Sequence, residues 1–141
     1  MSKKPYLTYP TKVILAWAES IGGNSELTQW LYKNTFKELA MFTFAVFNKQ
    51  EARTWLAQKG YAPLLACIQT TEGVKEAGTW LLKNNFEILF HIGRAGDGDK
   101  DSFKWLMKNA GKDFFYLAKK IEEAKDQIEE RNNDPHYISF S

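Results

Sequence analysis

The stretch "TWLLKNNF", Thr79 to Phe86, has three near-copies in the chain. "QWLYKNTF" occupies Gln29 to Phe36, "TWLAQKGY" Thr54 to Tyr61 and "KWLMKNAG" Lys104 to Gly111. Their tryptophans, Trp30, Trp55, Trp80 and Trp105, lie 25 positions apart, and each precedes a leucine: Leu31, Leu56, Leu81 and Leu106. Other columns at the same spacing stay apolar without a gap. Six residues after the tryptophan come Phe36, Tyr61 and Phe86, then Gly111. Nine after it come Leu39, Leu64, Leu89 and Phe114, and twelve after it Phe42, Cys67, Ile92 and Leu117. Self-similarity at a fixed period is the mark of a repeat architecture, in which each repeat is one supersecondary unit.

Each unit reads as two short helices. In the first, Leu27, Trp30 and Leu31 share one helical face, and Asn24 or Ser25 can accept an orphan backbone N–H at its start. The second is "FKELAMFTFAVF", Phe36 to Phe47, with Leu39, Phe42, Thr43 and Val46 at helical spacing. Pro63 falls near the start of the equivalent helix one unit on, where its missing N–H costs little. Gly23, Asn48, Gly73 and Gly98 end the second helices, since Gly and Asn tolerate a left-handed backbone. Within the motif, Trp80 and Leu81 are expected to lock one helix into the stack. Lys83 complements the negative helix end, and Asn84 or Asn85 turns the chain.

One such pair cannot bury its apolar stripe, but stacked pairs can. The predicted fold is therefore all-α: a short α-solenoid of about four and a half antiparallel helix pairs in one domain. Its boundaries are a half unit at about 11–23, full units at 24–48, 49–73, 74–98 and 99–132, and a tail at 133–141. Counting back from Leu39 and Phe42 gives Ile14 and Trp17, which places the fifth tryptophan in the half unit. A longer helix starting near Lys112 caps the array, charged on its outer faces. At this level the chain resembles helical-repeat proteins such as tetratricopeptide and HEAT arrays, from roughly Lys12 to Glu130. The resemblance implies architecture alone, because the period is shorter than theirs and the W-L-x-K-N signature is not theirs.

Composition bounds the function classes. A net charge of +2 is too small a bias to imply nucleic acid or an anionic membrane by itself. One cysteine among 141 residues rules out an internal disulfide framework and fits a reducing cytoplasm. The longest apolar run near the start, Val13 to Ala18, is too short for a signal peptide, and no segment suits a membrane span.

Chemical motifs are sparse. Asp97, Asp99 and Asp101 imitate the first half of a calcium loop, but Ser102 replaces the turn glycine and Lys108 the closing glutamate. The acids suit a helix start instead. His91 and His136 lack metal-ligand spacing, and Cys67 occupies a core column, so no metal, cofactor or catalytic residue is expected. Lys33, Lys83 and Lys108 form a column that Gln58 interrupts; a cation in the last helical turn accounts for it.

Columns that vary are where recognition can reside. One runs Ala16, Met41, Ala66, His91, Tyr116, and another, three residues on, Glu19, Phe44, Gln69, Arg94, Lys119. Positions three apart share a helix face. With second helices on the concave side, Glu19, Met41, Phe44, Gln69, His91, Arg94, Tyr116 and Lys119 form a partner-binding strip. The pattern does not say which layer is concave, nor whether Phe44 and Phe47 widen the core or face a partner. The expected function is a non-enzymatic intracellular scaffold for a peptide or protein. Self-association as a homodimer is one form of it, through sticky array ends or the tail residues Tyr137, Ile138 and Phe140. The alternatives are a nucleic-acid binder using Lys33, Lys83, Lys108, Arg94 and Lys119, and, ranked last, an enzyme using His91 with nearby acids.

Overall fold

The computed structural model describes residues 7–133, and these are all-helical. In order come α1 (Thr11–Ile21), α2 (Ser25–Lys33), α3 (Lys37–Val46), α4 (Gln50–Gln58) and α5 (Ala62–Thr71). There follow α6 (Lys75–Lys83), α7 (Glu87–Gly96), α8 (Lys100–Asn109) and α9 (Lys112–Asn133). The even-numbered helices carry the tryptophan motif. The expected helix pairs and longer terminal helix are what the chain forms. The tail, with His136, Tyr137, Ile138 and Phe140, lies outside the described residues.

Local chemistry sets the boundaries. Gly23, Asn48, Gly73 and Gly98 all have positive φ, from 66° at Asn48 to 108° at Gly23, and each reverses the chain between units. One period later stands Glu123, a good helix former, and α9 runs straight through it to a length of 22 residues. Asn24 caps α2, its Oδ1 accepting the Leu27 N–H at 3.1 Å. The Lys–Asn half of the motif is a C-terminal cap. Asn34, Asn84 and Asn109 each donate Nδ2–H to the carbonyl of the tryptophan four residues earlier, at 2.7, 2.8 and 3.0 Å. Asn34 and Asn84 also donate their backbone N–H to the same carbonyl, so the side chain adds a second bond that closes the helix end.

The Trp–Leu half needs correcting. Leu31, Leu56, Leu81 and Leu106 are completely buried, but Trp30 and Trp80 are about 40% exposed. Adjacent helical residues point about 100° apart at 3.6 residues per turn, and in these helices the leucine takes the inward direction. The leucine anchors the helix; Trp30 and Trp80 lie on the outer surface over the following turn, and Trp55 and Trp105 are partly buried against the core. Trp30 stacks on Phe36, Trp55 on Tyr61 and Trp80 on Phe86, with ring centroids 5.6–5.8 Å apart. The fourth copy has Gly111 in place of the aromatic residue, and His91 stacks on Trp105 instead, at 4.0 Å.

The packing also closes. Helices α1, α3, α5, α7 and α9 form an inner layer in which each touches the next, and α9 returns to pack against α1. The outer helices α2, α4, α6 and α8 each lie across two consecutive inner helices. Trp17, Phe42, Cys67, Ile92 and Leu117, one residue per inner helix, are all fully buried at the centre. No concave inner face is left for a ligand, because the inner helices fill it with their own side chains. The ends of the array are joined rather than left sticky.

Two glycines permit the tightest approaches. A Cβ at Gly93 would lie 2.7 Å from Thr70 Cβ and 2.9 Å from the Cys67 carbonyl oxygen, so α7 rests directly on α5. A Cβ at Gly96 would meet Ile121 Cγ2 at 2.7 Å, where α7 rests on α9. Buried hydroxyls tie the same layers together. Ser20 is hydrogen-bonded to Thr28 at 2.6 Å and Thr43 at 2.9 Å, and Thr71 donates to the Gly93 carbonyl at 3.2 Å. Arg53 donates to the Ala45 carbonyl and forms a two-pronged pair with Glu72, clamping α4 to the ends of α3 and α5.

Candidate functional site

With the interior filled, the candidate surfaces are the seams between outer and inner helices. Of the column of Glu19, Phe44, Gln69, Arg94 and Lys119, the last three lie along them, with Lys119 over Phe103 of α8. Gln69 lines the α4–α5 seam beside Arg53, Thr54 and Leu65, a mainly polar surface. Arg94 lines the α6–α7 seam, which is a groove of about 340 Å³. Its walls are Val74 and Leu82 on one side and Phe90 on the other. Val74 is 41% and Leu82 45% exposed, among the most exposed large apolar residues described.

The floor of this groove is Gly78. At the same position the other units carry Thr28, Arg53 and Phe103. Phe103 fills its own seam, edge-on to Phe115 at 5.3 Å and beneath Lys119, whose Nζ is 4.5 Å from the ring centre. A glycine inside a helix costs roughly 1 kcal/mol relative to alanine. Gly93 and Gly96 are required by contacts below 3.0 Å; a Cβ at Gly78 would meet the ring edge of Phe90 at 3.2 Å and Thr70 Cγ2 at 3.6 Å. Glycine here lets the Phe90 ring lie close on α6, and both residues line the groove.

Arg94 stands on the rim with 43% of its side chain exposed. Asp97 and Asp99 lie 4.0 and 3.9 Å away, too far for hydrogen bonds. Both acids have closer donors: Asp97 accepts from Lys125, and Asp99 from the Ser102 hydroxyl at 3.0 Å. The guanidinium keeps donors for an incoming group. The acids of the aspartate-rich stretch therefore diverge into ion pairs and hydrogen bonds, with Asp101 exposed in the first turn of α8.

The remaining expected strip residues have structural surroundings. Tyr116 donates its hydroxyl to Glu19, joining α9 to α1 across the closure, and this bond is the main cause of the raised Tyr116 pKa. Met41 and Phe44 are half-buried against the core, and Phe47, at the end of α3, is exposed. Lys119 pairs with Glu122 at 3.5 Å. His91 faces α8, with Nδ1 2.9 Å from the Ser102 hydroxyl and the ring flat on Trp105. Burial lowers its pKa from the ordinary 6.5, against the opposing pull of Glu87 and Asp99. The eight residues thus do not form one strip. Glu19 and Tyr116 meet each other, and Arg94 opens onto the apolar groove.

Cys67 is fully buried, and burial pushes its thiol far above the ordinary range, which suits a core residue rather than a nucleophile. Lys33, Lys83 and Lys108 are exposed in the last turns of α2, α6 and α8, where the helix dipole favours them. A second cleft of about 210 Å³ lies where α3 and α5 end against α9, lined by Val46, Ile68, Ile121 and Ile128. Its charged residues are paired internally, Glu72 with Arg53, and Lys125 with both Asp97 and Glu129.

Periodicity does not single out Val74, Gly78, Leu82 or Phe90, since alone each reads as ordinary helix content. The available signal was glycine at a position where the other units carry larger residues. Comparison of the chain with protein families, curated proteins and solved structures returns no match. Among the described residues, no helix is long and apolar enough to cross a membrane.

Proposed function

We propose that this protein is a non-enzymatic intracellular interaction module that holds a peptide or protein segment in the groove between α6 and α7. The observation that carries this reading is the groove between exposed Val74 and Leu82 and the half-buried Phe90, which Gly78 admits close to α6, with Arg94 at its edge. Exposed apolar surface rimmed by polar groups favours a partner, because covering it removes apolar area from water. An apolar centre with an arginine beside it is also the usual composition of an energetic interface anchor. The filled interior and closed array leave the outer seams as the recognition surface. The test is partner recovery from native lysate with wild type, Leu82→Glu and Gly78→Leu. Both variants should lose a partner that wild type retains, with helicity unchanged. Equal recovery by all three proteins overturns the groove reading.

A further inference from the structure

We infer that the α6–α7 groove selects an acidic apolar segment: a large apolar side chain seated between Val74, Leu82 and Phe90, next to a carboxylate held by Arg94. This rests on the groove being the binding site, and it adds the chemistry of the occupant.

The lining carries two cations, Lys75 and Arg94, and no carboxylate. The second cleft contrasts with it, since it is lined by Glu72 and Glu129 and its one cation, Lys125, is already held by Asp97 and Glu129. Asp97 and Asp99 stand only at ion-pair distance from the Arg94 guanidinium, because each is held by a nearer donor. A planar guanidinium with free donors binds a carboxylate through two parallel hydrogen bonds, a geometry that a neutral side chain cannot match. Phe90 and Arg94 are four residues apart on α7, so apolar wall and cation share one helix face. A segment that buries an apolar group on Phe90 therefore brings its next residues beside Arg94. Lys75 lies four residues before Thr79 on α6 and adds positive potential along the other wall.

The experiment is selection from a phage-displayed library of random 12-residue peptides on wild type, Arg94→Glu and Gly78→Leu. Binding of the selected peptides is then measured by fluorescence anisotropy, with oligomeric state followed by light scattering. Wild type should enrich peptides with Asp or Glu beside Leu, Ile, Phe or Trp. Arg94→Glu should exchange the acids for Lys or Arg, and Gly78→Leu should abolish enrichment. Arg94→Ala should weaken an enriched acidic peptide about tenfold, the lower end for a hydrogen bond to a charged group, with the difference shrinking as salt rises. If the enriched peptides are apolar without acids and still need Gly78, the groove reading stands and this inference fails. If no enrichment depends on Gly78, both fail. A peptide-free dimer that Leu82→Glu dissolves would assign the groove to a second copy and overturn the inference.

Discussion

Substituting Gly93 by alanine separates two opposing effects of known size. Alanine in a helix interior is favoured over glycine by about 1 kcal/mol. At Gly93, however, the new methyl would lie 2.7 Å from Thr70 Cβ and 2.9 Å from both Thr70 Cγ2 and the Cys67 carbonyl oxygen. The last of these is backbone, so no rotamer change relieves it, and α7 must move off α5. Overpacking of this kind costs about 1–3 kcal/mol, and here the upper part of the range applies because three atoms are struck. The net loss is then about 1–2 kcal/mol after the propensity gain. For a chain of this size it corresponds to a fall in Tm of roughly 3–10 °C. Gly22→Ala is the control. Gly22 has φ −72°, and the nearest atom to its added methyl is the flexible Lys120 Cδ at 3.3 Å. That variant should match wild type or gain about 0.4–1 kcal/mol. Thermal and urea unfolding followed by circular dichroism measure both. A Gly93→Ala protein as stable as wild type would refute the close packing of α5 on α7.

Leu81→Ala should cost about 2–5 kcal/mol as a fully buried truncation, and Trp80→Ala less despite the larger side chain; the reverse order in urea melts would contradict the placement of the tryptophan outside. Tyr116→Phe removes the hydroxyl bond to Glu19 and should cost about 0.5–1.5 kcal/mol. Amide exchange should then quicken in α1 more than in α5, and uniform quickening would count against a local closure bond. His91 titrates below its ordinary 6.5, chiefly through burial, so the unfolded chain takes up the proton first as pH falls. Its contribution to stability is complete above 6.5 and is lost as pH drops toward the folded-state value. The gap in urea midpoint between wild type and His91→Gln should therefore shrink from pH 7.5 to 4.5, and a constant gap would refute the assignment.

Much of the fold is legible because local rules and the repeat agree. The column of Gly23, Asn48, Gly73 and Gly98 ends four helices, and Glu123 in the same column predicts that the last helix continues. The leucine column marks the core because the same side chain meets the same environment in every unit. Trp30 and Trp80 mislead for a physical reason. Size and apolarity suggest burial, but the adjacent leucine takes the inward direction, and the aromatic partner six residues on gives the tryptophan a surface to cover.

Closure is a different matter. The period announces stacked pairs, but it carries no information on the small rotation between units, and that rotation decides whether a stack stays open or returns on itself. What the structure adds is contact between distant helices, the close approaches of α7 to α5 at Gly93 and to α9 at Gly96 and the return of α9 onto α1. The same tertiary fact moves the candidate site. A filled inner layer removes the concave strip, seats Met41 and Phe44 against the core, and turns Glu19 and Tyr116 into a seam. What distinguishes the α6–α7 groove is the meeting of Gly78 on one helix with Phe90 and Arg94 on another. The sequence by itself determines the units, their turns and their buried columns, because those depend on residues close along the chain. Which faces remain for a partner depends on how distant helices pack, and that only the tertiary structure decided.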